Sequence, residues 1–137
     1  YEGEFYDVPE KTVDEISHTL SVDSVKLEDC KLLNHNSVGG ALFMDKSSHI
    51  RCGMENEHFV SWGMEDNERA HRWTKLGYRL LRTPGVLYHL EHPRSPDSSE
   101  RNPGFQANEE ECEKVKNMTP DQLVAYVDTW SWPKKNV

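Results

Sequence analysis

The sequence lacks the features that define several common classes of protein. Its three cysteines are far apart and form no Cys-x-x-Cys pair, which argues against a disulfide framework and favours a reducing compartment or buried free thiols. No apolar run approaches the roughly 20 residues that a membrane-spanning helix needs. Acidic residues outnumber basic ones by 24 to 16, and the resulting net charge of -8 argues against a nucleic-acid-binding module.

The signatures of several enzyme classes are also missing. The chain contains no Asp-x-Asp, no glycine-rich phosphate loop, no serine-nucleophile elbow and no zinc-finger spacing. It begins with Tyr1 and has no signal-like stretch, so we expect a piece of a longer protein, in which missing targeting signals carry little meaning. Its 137 residues, 35% of them hydrophobic and 29% charged, suit a single domain with a modest core.

Helical patterns account for most of the predicted structure. The strongest start signal is at Thr119, which suits an N-cap, followed by Pro120 at the first helical position and Gln122 at the third. Trp73 and Trp130 fall on apolar helix stripes, so we assign both to packing. The predicted helices follow Pro9, run from Asp45 to an end at Gly53, run from about Glu65 to Leu76, cover 108–117, and begin at Thr119.

Strand signals are shorter and less regular. Two glycines followed by the apolar run 41–44 predict a buried strand, and alternation predicts strands over 78–82 and 86–92. Residues 1–9 are expected to be a loop or short strand, 21–36 irregular with one short strand, and 93–104 an exposed loop. The fold class is therefore α/β, or α+β within this fragment, with few short strands and several helices.

The stretch from Ser61 to Glu68 combines an aromatic ring, a flexible glycine and three carboxylates. Gly63 permits a tight turn, and the acids after it begin a helix whose dipole they offset. Asp66 at that helix start could accept a proton from a bound hydroxyl, although such acids usually act as caps or dipole partners. Both roles stay open on the pattern alone. One helix face, comprising Asp66, Ala70, Trp73 and Gly77, is expected to pack inward.

The neighbouring side chains extend this candidate site. Glu65 and Glu68 precede Arg69 and Arg72 by four residues, in the order that favours helical ion pairs. An ion pair with Arg72 is sufficient reason for an acid at Glu68, whereas Glu65 is also placed to hydrogen-bond a sugar hydroxyl. Trp62 is the one tryptophan in a glycine-containing loop and is the best candidate for stacking on a sugar.

A histidine pair and a glycine pair are the remaining candidates. His89 and His92 follow a predicted strand, and two imidazoles suit zinc, manganese and other transition ions. Two ligands make a poor site without a third donor, and partly exposed histidines without metal are the more ordinary explanation. Glu91 is expected to point to the other side. Gly39 and Gly40 would permit close backbone approach to a ligand, but a bulge or tight turn explains them equally well.

Three segments, taken in order, resemble one enzyme family. They are Val38-Gly39-Gly40-Ala41-Leu42-Phe43, the stretch from Asn56 to Glu68 that contains Trp62-Gly63-Met64-Glu65-Asp66, and His89-Leu90-Glu91-His92. Together they resemble the C-terminal half of the catalytic domain of a GT-A-fold glycosyltransferase, of the galactosyltransferase type or bacterial family 2. The match covers residues 37–95, and 105–137 forms a helical extension.

The resemblance implies roles for the matching residues. Asp66 matches the base that deprotonates the acceptor hydroxyl, Glu65 an acceptor-binding carboxylate, and Trp62 with Gly63 the acceptor platform. Met64 replaces a glycine usual in the family, which leaves the acceptor's identity open. On the other side of the reaction, Gly39 and Gly40 match the segment near the donor sugar, and His92 and His89 match metal-binding positions.

The implied activity is metal-dependent, inverting transfer of a hexose from a nucleotide-diphosphate sugar to a sugar acceptor, with Mn²⁺ as the expected cation. Neither nucleic acid nor a membrane is an expected partner. The location is cytoplasmic for a bacterial-type enzyme and the Golgi lumen for a eukaryotic one. Since the donor-binding half is missing, we expect the fragment alone to be inactive. A non-catalytic carbohydrate-binding module and a structural metal-binding domain stay as alternatives.

Overall fold

The computed structural model describes residues 3–132, which contain three short strands and five α-helices. This mixed α/β content agrees with the predicted fold class. Tyr1 and Glu2 of the predicted entry segment and the predicted chain end from Pro133 onward lie outside the described residues. The strands are β1 (Phe5–Val8), β2 (Lys31–Asn34) and β3 (Leu87–Leu90); the helices are α1 (Glu10–Thr19), α2 (Lys46–Arg51), α3 (Glu65–Lys75), α4 (Phe105–Asn117) and α5 (Pro120–Val127).

The described chain divides into two compact units, each of which is treated by itself. The sheet unit takes in the described residues up to Ala41 together with Leu81–Pro93. The helical unit takes in Leu42–Leu80 and the described residues from Arg94 onward. The expectation of a single domain stays a prediction.

The sheet unit is organised around β1, the central strand in the order β2-β1-β3. β1 pairs antiparallel with β2 and parallel with β3, in a register that sets Phe5 beside Leu87 and Asp7 beside His89. Val8 at the end of β1 and Ile16 on α1 are buried. The predicted helix after Pro9, the short strand within 21–36 and the strand within 86–92 are thus confirmed as α1, β2 and β3.

Two predicted strands are wrong. Residues 41–44 are irregular and exposed, with Phe43 98% accessible, and they pair with none of the three strands of the described chain. Residues 78–82 alternate in character but pair with none of the three strands of the described chain. Alternation describes which way side chains point, whereas a strand also needs a partner to satisfy its backbone hydrogen bonds.

The helical unit contains a core formed by α4, α5 and the residues that follow α5. Val115, Leu123, Val127 and Trp130 are its buried members. The start of α5 is the predicted capping box, in which the Thr119 side chain accepts from the Gln122 backbone and the Gln122 side chain accepts from the Thr119 backbone. The apolar stripe predicted for this helix and the assignment of Trp130 to packing are confirmed.

A fully buried ion pair lies within α3, and its arginine also contacts other segments of the helical unit. Arg72 donates from Nε to Glu68 Oε1 at 2.7 Å and from Nη2 to Oε2 at 3.1 Å, and neither side chain is more than 1% exposed. The guanidinium also donates to the Cys52 carbonyl and lies 5.0 Å from the ring centroid of Trp130. Each charge therefore has a partner, as a buried charge requires.

The predicted inward face of α3 is wrong in most of its residues, because the Glu68–Arg72 pair occupies the buried face. The buried residues of the helix are Glu68, Arg72 and Trp73, whereas Asp66 and Ala70 are only partly buried and Gly77 is exposed. The hydrophobic pattern missed this face because two charged side chains occupy it. The predicted Glu68–Arg72 pair is confirmed, and so are the core position of Trp73 and the end of the helix before Gly77, whose φ is 85°.

Replacing Glu68 with Gln should strongly destabilise the helical unit. The change leaves the buried Arg72 charge without its carboxylate, and breaking such a pair costs about 3–5 kcal/mol. Urea denaturation followed by far-UV circular dichroism measures the change. Glu109→Gln, an exposed change on α4, is the matched control and should shift the midpoint little. A loss below about 1 kcal/mol for Glu68→Gln would contradict the role assigned to this pair.

Candidate functional site

The predicted acidic stretch forms a sharp turn that leads into α3. Gly63 has a φ of 122° and Met64, the N-cap residue, a φ of 69°, so the backbone reverses just before the helix. Glu65 Oε2 accepts from the Gly63 N–H at 2.8 Å. Glu65, Asp66 and Glu68 all lie in the first turn, where negative charge offsets the helix dipole. Glu65 therefore also helps to hold the turn closed.

Trp62 is presented on the outside of this turn. Its ring stacks on Phe105 with centroids 6.0 Å apart and an interplanar angle of 18°, and the residue is 40% exposed. Phe105 also lies against Gly63, where a Cβ atom would come within 2.6 Å of the phenyl ring. A glycine is thus needed here for both its φ and its lack of a side chain. One side of the tryptophan is supported while part of its surface stays accessible.

Two buried asparagines hold the loop backbone in place. Asn108 Nδ2 donates to the Val60 carbonyl at 3.0 Å, and its Oδ1 accepts from the Val60 N–H at 3.1 Å. Asn102 Nδ2 donates to the Trp62 carbonyl at 2.8 Å. Buried amides that satisfy main-chain groups restrain the loop against movement. Sequence reasoning missed both residues: Asn102 lies in the predicted exposed loop, and the only available signal was asparagine among charged neighbours.

The Asp66 carboxylate is paired with Arg69 and does not lie on the buried face of α3. Arg69 contacts Asp66 Oδ1, and its Nε donates to Glu55 at 2.9 Å and 3.1 Å. The predicted Glu65–Arg69 pair is therefore wrong, because Glu55, distant in sequence, supplies a better-placed carboxylate. The Asp66 side chain is 39% exposed. A partly accessible carboxylate at a helix start thus lies near an accessible tryptophan within one turn.

Three buried ionisable groups of the helical unit have shifted pKa values. Glu111 is buried, which opposes its charge, but hydrogen bonds from Asn56, Tyr126 and Lys114 prevail and lower its pKa. Burial raises the pKa of the Cys112 thiol to about 11, and burial also raises the pKa of the Cys52 thiol. Both thiols therefore stay protonated at neutral pH and are unsuited to nucleophilic chemistry. All three cysteines are free, as predicted.

A second cluster of ionisable groups lies in the sheet unit. His89 Nδ1 is 2.6 Å from Asp7 Oδ1 and 3.5 Å from Glu91 Oε2. One possible ligand atom from each of these three residues lies within 4.8 Å of the others. The expectation that Glu91 points away from the histidines is wrong, since its carboxylate approaches His89. Nitrogen and carboxylate donors in one place are a suitable ligand set for Mn²⁺ and related divalent ions.

His92 extends this cluster at the end of β3. Its ring centroid is 5.5 Å from that of His89, and its Nδ1 is 3.1 Å from the Pro93 carbonyl oxygen. His92 and Glu91 also line an open cleft of about 430 Å³, together with Asp7, Val8, Pro9, Glu10, Asp29, Lys31 and Pro93. The two histidines singled out from the sequence are thus neighbours beside a cleft that could admit a ligand.

The paired glycines lie against the same sheet. A Cβ atom on Gly40 would approach Leu87 Cδ2 to 2.7 Å and the Phe5 ring to 3.5 Å. Gly39 is buried and Gly40 is exposed. The backbone at Gly40 therefore approaches the sheet closely, whereas its approach to a ligand stays a prediction. A role of either glycine near a donor sugar stays a prediction.

Comparison with known proteins places the chain in a family. A sequence profile described as the N-terminal domain of galactosyltransferase matches residues 22–94, which is more than half of the chain. The chain therefore belongs to this galactosyltransferase family, and the predicted family membership is confirmed. The profile spans the glycine pair, the turn at Trp62 to Asp66 and both histidines. The assignment to the C-terminal half of a catalytic domain stays a prediction.

One similar protein is the chondroitin synthase of Escherichia coli. It is 31% identical over 96 residues, which cover 69% of this chain and 14% of that protein. The chain thus spans about one seventh of this curated relative. No solved structure matches the chain significantly. Among the described residues, no helix is both long and apolar enough to cross a membrane.

Replacing Gly63 with Ala should distort the turn that presents Trp62. The added methyl group would collide with Phe105 as well as strain the backbone, and such strain costs about 1–3 kcal/mol. Gly77→Ala is the matched control, since Gly77 also has a positive φ but a Cβ atom there meets nothing within 4 Å. Urea midpoints should fall further for Gly63→Ala than for Gly77→Ala. Equal shifts of the two urea midpoints would show that the clash with Phe105 does not contribute to the destabilisation.

Proposed function

We propose that this chain is the acceptor-side half of a GT-A-fold glycosyltransferase that moves a hexose from a nucleotide-diphosphate sugar to a sugar acceptor. The observation that supports this most directly is the turn before α3. Within it a partly exposed Trp62 stacks on Phe105 and a partly exposed Asp66 carboxylate is paired with Arg69, in a chain of the galactosyltransferase family. An aromatic surface beside a carboxylate suits a polyhydroxyl ligand.

In the proposed reaction the acceptor sugar stacks on Trp62 and hydrogen-bonds Glu65. The acceptor hydroxyl oxygen attacks the anomeric carbon of the donor, and the bond to the departing nucleotide diphosphate breaks as the new glycosidic bond forms. Asp66 takes the hydroxyl proton, and Arg69 keeps its carboxylate oriented. A single displacement of this kind inverts the anomeric configuration.

The proposed cation is Mn²⁺, held by His89 and His92. The donor set fits, because the two imidazoles are neighbours, carboxylates lie beside His89, and His92 lines an open cleft. When bound, such an ion neutralises charge on the leaving diphosphate. Gly39 and Gly40 are proposed to lie near the donor sugar. We propose that further donor-binding elements lie outside these 137 residues.

A structural metal-binding role is the second candidate. The approach of Asp7 and Glu91 to His89 favours it, since several protein donors can hold an ion without a nucleotide. The two functions differ in what completes the metal site. In the transferase the diphosphate of the donor is a required ligand, whereas a structural ion is held by the protein alone.

Asp66→Asn in the complete enzyme should lower kcat for sugar transfer by about 100-fold or more, because an amide cannot accept the hydroxyl proton. Binding of the donor should be unchanged when measured by calorimetry. Asp121→Asn, an exposed acid in the first turn of α5, is the control and should leave kcat as it was. Wild-type turnover by Asp66→Asn would remove Asp66 from the role of base.

Mn²⁺ affinity should depend on nucleotide if the transferase proposal is right. Titration of the complete enzyme with Mn²⁺, followed by electron paramagnetic resonance of the free ion, is done with and without uridine diphosphate. We expect at least about tenfold tighter binding with the nucleotide, because its phosphates complete the ligand set. His92→Ala should abolish that gain. Tight binding that ignores the nucleotide would instead support the structural role.

A further inference from the structure

The parallel pairing of β1 with β3 places a carboxylate beside a proposed metal ligand. In this register Asp7 is the partner of His89. Neighbouring residues in paired strands point to the same face of a sheet, so the two side chains meet. No motif marks Asp7, which lies 82 positions before His89 in the chain.

The contact between the two side chains is short and sheltered. His89 Nδ1 lies 2.6 Å from Asp7 Oδ1, and the side chains are 19% and 21% exposed. The Phe5 ring packs edge-on against the imidazole at a centroid distance of 5.5 Å. The imidazole is therefore restrained on one side by a hydrogen bond and on another by an aromatic ring.

The hydrogen bond also determines which nitrogen is available. A carboxylate only accepts hydrogen bonds, so Nδ1 of His89 carries a proton and donates the hydrogen bond to Asp7. In the neutral ring the lone pair is then on Nε2. His92 follows the same arrangement, because its Nδ1 is 3.1 Å from the Pro93 carbonyl oxygen, which can only accept. Both imidazoles thus offer Nε2.

We propose that Asp7 is a positioning residue for the metal ligand His89: it fixes the tautomer and the ring orientation, so that Nε2 is presented to a divalent cation. This inference rests on the proposed role of His89 as a ligand. Metal-binding histidines commonly donate their second ring N–H to such a carboxylate, and loss of the partner typically lowers metal affinity by about 10–100-fold.

The first test is Mn²⁺ titration of the complete enzyme without substrates, followed by electron paramagnetic resonance. Asp7→Ala should weaken binding by about 10–100-fold. Asp7→Asn should restore much of the affinity, because an amide oxygen still accepts from Nδ1. Asp14→Asn removes the same charge from an exposed position on α1 that does not line the cleft, and it should change the affinity by less than about twofold.

The second test reads the tautomer without metal. In ¹⁵N-histidine-labelled protein, the ring nitrogen shifts of His89 should show the Nδ1–H form, and Asp7→Ala should shift the population toward Nε2–H. An Nε2–H form in the unaltered protein would overturn the proposal. Equal losses of affinity in Asp7→Asn and Asp7→Ala would also overturn it, and would make Asp7 a direct ligand.

His89→Ala separates this inference from the proposed function. If His89→Ala weakens Mn²⁺ binding while Asp7→Ala does not, the metal site stands and the role of Asp7 is overturned. If His89→Ala leaves the affinity unchanged, the metal assignment in the proposed function falls, and the role of Asp7 falls with it.

Discussion

The buried ion pair between Arg72 and Glu68 is the interaction on which the helical unit depends. A guanidinium with no access to water must satisfy its charge and its N–H groups within the protein. It does so on the Glu68 carboxylate and the Cys52 carbonyl, beside the Trp130 ring. Through these further contacts of Arg72, α3 is held against the segment that ends α2 and the one that follows α5. Since the turn at Trp62 leads directly into α3, its position follows from the same constraint.

Three of the candidate functional side chains share one structural feature: each is oriented by a partner that is distant in sequence or held by a tertiary contact. Trp62 rests on Phe105, Asp66 is held by an arginine that Glu55 anchors, and His89 is restrained by its strand neighbour on β1. Side chains that are already held in one orientation lose little conformational entropy when a ligand binds, which favours both catalysis and metal binding in general. The proposed sugar-transfer site and the proposed metal site both use side chains held in this way.

Elements with local start and stop signals were predictable. The cap at Asp45, the capping box at Thr119 and the glycine after α3 act within one helical turn, so a short window of sequence contains all that they need. Strands were less predictable, since 41–44 and 78–82 have suitable residues but no pairing partner in the described sheet. The inward face of α3 was missed because a charged pair, rather than an apolar stripe, occupies it.

The sequence by itself determined the family, the helices and the residue types of both candidate sites. Only the tertiary structure decided their partners. It paired Arg69 with Glu55 and Asp66 rather than Glu65, buried two asparagines under the Trp62 loop, and set Asp7 against His89. The physical reason is range: caps and helix periodicity act over a few residues, whereas ion pairs and strand register join segments whose separation along the chain leaves no local signal.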